Sequence, residues 1–196
     1  VCFAISACVA RRILSRVTFQ GGNCGGAKSP ARRRTVTRIP AVEKCVEGEA
    51  LAEREITQVA HGDKLRISLV FHFKDTSLYQ EDVVFSQHRV FRVFSYHLTQ
   101  KGPAFKTPLE LSLDGSTGEA TVRYTNSDGK EKIESERLKL GQDLANGLIT
   151  TLVKNIQPGS TPMTLSMVAA TPKPRLAQVV ISQDGEDWLT KLYVTR

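Results

Sequence analysis

From Lys64 to Asp75 the chain reads KLRISLVFHFKD, with Leu65, Ile67, Leu69, Phe71 and Phe73 at every second position. A helix gathers residues three and four apart on one face, whereas successive strand side chains point to opposite faces, so a period of two specifies a strand with one buried side. The alternation runs through the chain from Glu49 onward. Val83 and Phe85 share a face in EDVVFSQ, Leu109, Leu111 and Leu113 in LELSLD, and Ala120, Val122 and Tyr124 in EATVRYT. The turns DGSTG and NSDG between these runs supply positive φ cheaply and are short, which makes the joined strands antiparallel neighbours. VFRVFSYHLT is apolar on both sides, with Val90, Arg92, Phe94, Tyr96 and Leu98 on one face and Phe91, Val93, Ser95, His97 and Thr99 on the other. A strand of this kind is expected at the centre of a sheet, covered in part on both faces.

One segment departs from the period. GQDLANGLITTLVKNIQPG places Leu144, Leu148, Leu152 and Ile156 four apart, which predicts a helix over about 142–157. Asp143 is the expected N-cap and Pro158-Gly159 the stop, while Gly147 weakens the helix interior. Strands resume in MTLSMVAAT and RLAQVVISQ, and DGED turns the chain into WLTKLYVTR. The fold class expected is mainly β: an antiparallel, curved open sheet or partial barrel with one packed α-helix.

Charge and cysteine divide the chain. Residues 1–45 carry nine Lys or Arg and one acid, and the rest carries 18 bases against 19 acids, so the net charge of +7 resides in the first segment. Cys2, Cys8, Cys24 and Cys45 all lie there too, at spacings that match no close-paired zinc pattern and that leave three full disulfide pairings open. The organisation expected is a basic Cys-, Arg- and Gly-rich tail over 1–45, disordered or not native, followed by an antiparallel β domain over 48–196 that stops in mid-strand. ARRR could grip phosphates, but only Phe19 lies near it, so base stacking has no support and nucleic acid is not the expected partner. No run reaches the ~18 apolar residues that span a bilayer. In VCFAISACVARR the positive charges follow the apolar run, the reverse of an intact secretory signal.

Motifs that carry chemistry are missing. His61, His72, His88 and His97 show no His-x-His or His-Glu-x-x-His spacing, there is no Gly-x-Ser-x-Gly elbow, and GGNCGG lacks the Gly-Lys-Ser/Thr ending of a phosphate loop. No catalytic residue, metal ligand or cofactor is therefore assigned. An alternative is a hydrolase that uses His72, His97 and nearby acids, with the two histidines meeting across neighbouring strands. The favoured reading is non-enzymatic. Phe71, Phe73, Phe91, Phe94, Tyr96 and Phe105 concentrate aromatic surface in one quarter of the chain and are the expected lining of a groove for an apolar small molecule or lipid.

The strings QKGPAF, DLANGL and ATPKPRL, within roughly residues 48–187, resemble a family of uncharacterised bacterial proteins, a domain of unknown function with secreted or envelope-associated members. The resemblance implies an extended curved β-sheet and a periplasmic or secreted setting. It implies no activity, cofactor or catalytic residue.

Overall fold

A computed structural model describes residues 34–43, 50–86, 92–149, 152, 159–170 and 173–181. Eight strands form one antiparallel sheet in chain order: β1 (Arg34–Glu43), β2 (Ala50–His61), β3 (Lys64–Phe73), β4 (Leu78–Ser86), β5 (Arg92–Lys101), β6 (Leu109–Asp114), β7 (Glu119–Thr125) and β8 (Glu131–Arg137). A second, two-stranded antiparallel sheet pairs β9 (Met163–Ala169) with β10 (Arg175–Ile181). The main sheet is open: its order runs from β1 to β8, and no pairing among the described strands joins those two edges into a barrel.

Alternation sets the faces. Ile67, Phe71, Val83, Phe85, Leu111, Leu113, Ala120 and Val122 are all buried on the same side of the sheet. Full burial of Phe85, Leu111 or Val122 is worth roughly 1.5–3 kcal/mol each, which fixes the register, since a slip of one residue would turn the whole set to solvent. The turns follow from their side chains. Asp114 Oδ1 accepts hydrogen bonds from the backbone N–H groups of Ser116 and Thr117, and Asn126 Oδ1 accepts from those of Asp128 and Lys130. These contacts close the β6–β7 and β7–β8 connections.

Within the basic segment, Arg34–Glu43 forms β1 and pairs with β2. Thr35, Val36, Thr37 and Ile39 are β-branched, and that strand preference outweighs the arginines beside them. Residues 1–33 and 44–49, with all four cysteines, lie outside the described residues, as do 182–196.

One expectation changes, the extent of the helix. Asp143 is not an N-cap; its backbone oxygen accepts from Ser166 N and its Oδ2 from Ser166 Oγ at 2.6 Å, while Ala145 N donates to Ser166 O. The chain at 143–145 is therefore extended alongside β9, with Leu144 bridged to Ser166 in parallel fashion. Gly147 has φ +70°, a value that excludes it from a helix interior, and a Cβ built there would sit 2.6 Å from Val83 Cγ1. Only glycine lets this turn lie flat on the sheet. The helical bond from Leu152 N to Leu148 O follows it, so the helix starts several residues later than 142. Residues 150, 151 and 153–158, including Ile156 and Pro158, lie outside the described residues. The four-residue spacing still identified the correct face: Leu144, Leu148 and Leu152 pack on the main sheet, and Ala145 and Ile149 pack against Leu165, Val179 and Ile181 of the hairpin.

Candidate functional site

The aromatic candidates separate into three environments. Phe71, Phe73 and Phe105 come together at the β3–β4 end of the main sheet, joined by Tyr79, which sequence reasoning missed. Phe71 and Tyr79 meet edge to face at 5.8 Å between centroids, Phe73 and Phe105 at 5.9 Å, and Tyr79 and Phe105 lie 6.5 Å apart. These are the offset geometries that ring quadrupoles favour. Phe71 and Phe105 are buried, and Phe73 and Tyr79 are half-buried. Phe105 reaches the cluster from the β5–β6 loop. Gly102 there has φ +100°, and its missing side chain leaves the Ser77 backbone room to approach; Ser77 Oγ then accepts from Ala104 N at 2.8 Å.

Phe94 does not belong to this set. The β4–β5 register pairs Val84 with Ser95 but Phe85 with Val93, so Phe94 is the extra residue of a β-bulge. The bulge re-phases the strand: Val93 joins Tyr96 and Leu98 on the buried side, and Phe94 is left 48% exposed with Lys64 Nζ 4.0 Å from its ring centroid. A strict period of two misassigns every residue on the far side of such an insertion. Phe91 lies outside the described residues.

Tyr96 occupies the third environment, a buried polar chain. Its hydroxyl donates to Glu81 Oε1 at 2.9 Å, and Tyr79 donates to the same oxygen at 2.5 Å. Burial pushes the Glu81 carboxyl above its ordinary range, and the two phenol hydrogen bonds oppose that shift. Tyr96 is pushed well up by burial and then by the Glu81 charge, and the nearby Asn146 side chain opposes the shift. Asn146, 1% exposed, accepts from Val168 N at 2.7 Å and donates to Val168 O at 3.1 Å. The chain of contacts thus crosses from β4 and β5 to β9. Extending the alternation of Val83 and Phe85 backwards would have placed Glu81 and Tyr79 on the buried face.

Arg54 also faces this side. Ala52, Arg54 and Ile56 alternate on β2, and all three are buried. Arg54 stands directly opposite Phe71, which is opposite Tyr79, which is opposite Gln100. Among the described residues the guanidinium Nε and Nη1 have no hydrogen-bond partner.

The opposite face carries His72 and His97, while His88 lies outside the described residues. His72 pairs with Leu78 and His97 with Asp82, which puts the two rings in rows four residues apart, about 13 Å along the strands, and two strands apart. They do not meet, because the register and not strand adjacency sets the distance. Asp82, His97 and Ser112 do share a row. The His97 nitrogens, however, face Ser112 Oγ at 3.0 Å and Thr99 Oγ1 at 3.3 Å, and Asp82 Oδ2 accepts from Gln80 at 2.6 Å. A nucleophile, base and orienting acid need contacts in series, and this row lacks the acid–base contact. Among the described residues no group of three His, Cys, Asp or Glu is placed to hold a metal ion, and no helix is long and apolar enough to cross a membrane.

Compared with protein-family models, curated proteins and solved structures, the chain matches none of them.

Proposed function

We propose that this chain is a non-enzymatic β-sheet domain that holds an apolar, lipid-like molecule against the aromatic end of its main sheet. The observation that carries the reading is the cluster of Phe71, Phe73, Tyr79 and Phe105, in which two rings close the floor and two keep part of their surface open. Rings held edge to face present flat apolar surface at fixed angles, and ordering them costs a ligand nothing further. The envelope or secreted setting of the proposal rests on the family resemblance.

Organic extraction of the purified full chain, followed by mass spectrometry, tests the reading together with Nile red fluorescence. A retained apolar molecule and saturable Nile red binding are expected, both weakened by Phe73→Ala and unchanged by Phe94→Ala. A chain that retains nothing and leaves Nile red dark removes the proposal.

A further inference from the structure

Arg54 poses a problem that the fold does not solve. It is 5% exposed, and among the described residues its Nε and Nη1 have no hydrogen-bond partner and no acid pairs with it. Lys101–Glu110, Arg123–Glu131 and Lys173–Glu134 form ion pairs elsewhere, with side chains 33–61% exposed. Glu81 lies on the same face but is engaged by Tyr79 and Tyr96. A guanidinium keeps its proton at neutral pH even where burial lowers its affinity for it, as here. A buried charge without a partner costs several kcal/mol, and an apolar residue of the same volume would remove that cost. Among the described residues nothing offsets that cost for Nε and Nη1, and the position of Arg54 suggests what would.

That position is directly opposite Phe71, in the row that continues through Tyr79. Cross-strand neighbours have Cβ atoms about 4.5–5.5 Å apart, so the charge sits within a side chain's length of the aromatic cluster. The two unused nitrogens belong to different edges of the guanidinium, each an edge that takes a carboxylate or phosphate oxygen. We propose that the ligand of the aromatic end is an anionic amphiphile, with its chain on Phe73 and Tyr79 and its carboxylate or phosphate head on Arg54. This inference rests on the apolar-ligand reading and adds the head group.

The test titrates the full chain with hexadecanoate, hexadecyl phosphate and hexadecanol, each by displacement of Nile red. Either anion is expected to bind about tenfold or more tighter than the alcohol, the size of one charge-assisted hydrogen bond. Which anion binds tighter assigns the head group as carboxylate or phosphate. Arg54→Met should abolish the preference and melt at the same or a higher temperature without ligand. Arg54→Lys, which retains charge and solubility, should keep the preference in reduced form. Equal binding of all three by the wild-type chain overturns the anionic head alone; no binding of any of them overturns the apolar-ligand reading with it. A lower melting temperature for ligand-free Arg54→Met would show that Arg54 already has a structural partner and would also overturn the inference.

Discussion

Tyr96 on β5 donates a 2.9 Å hydrogen bond to Glu81 on β4, and both lie on the face covered by the 144–152 segment and the β9–β10 hairpin. The pair sits at the junction of the two layers, near Asn146, which is hydrogen-bonded to the backbone of β9. A carboxyl in that position has consequences for stability that can be measured.

The first concerns pH. Burial raises the Glu81 pKa in the folded state above its unfolded value, so the folded protein holds the proton more tightly. Stability is then greatest below the unfolded carboxylate pKa and is lost as pH rises through the folded one. Glu81→Gln keeps an acceptor for both phenols and never ionises. Its urea unfolding midpoint should exceed that of the wild type at pH 8 (roughly, the upper end of the usual stability window) and converge with it in acid. A variant that loses stability at high pH would contradict this.

Asn146 should behave as a structural clasp. Asn146→Ala leaves the N–H and C=O of buried Val168 without partners, at a cost of about 1–3 kcal/mol. The midpoint of urea unfolding should fall with its slope unchanged.

Gly147→Ala is expected to cost about 1–3 kcal/mol, from positive φ together with the approach to Val83. In a Val83→Ala background the clash with Cγ1 at 2.6 Å is removed while Cβ remains at 3.0 Å, so the cost should shrink without vanishing, and a double-mutant cycle measures the part due to the Val83 methyls.

Phe94 and Phe105 make a contrasting pair. Phe94→Ala removes an exposed ring and should change stability by less than about 0.5 kcal/mol. Phe105→Ala removes a buried ring from contact with Phe73 and Tyr79 and should cost about 3 kcal/mol or more by thermal or urea unfolding.

What could be read from the residues follows from which forces are local. Leu65 to Phe73, Val83 with Phe85, and Leu109 to Leu113 announced strands and their buried faces, because alternation is a property of the backbone itself. Three features depended on distant residues and were not legible. The bulge at Phe94 is decided by how β5 meets β4. The late start of the helix is decided by Ser166, which takes Asp143 into an extended pairing. The separation of His72 from His97 is decided by register. Glu81 and Tyr79 were within reach, since the alternation that places Val83 and Phe85 inward places them inward as well. They were overlooked because polar side chains are ordinarily expected in water.

The chain order of the main sheet has a kinetic meaning. Each of its strands hydrogen-bonds to the strand made just before it, so the sheet can be assembled hairpin by hairpin as the polypeptide leaves the ribosome. Val83, Tyr96 and Leu98, by contrast, must wait for Leu144, Leu148 and Val168 to be synthesised before their greasy side is shielded. The interval between those two events is when a nascent copy is most exposed to sticking to its neighbours.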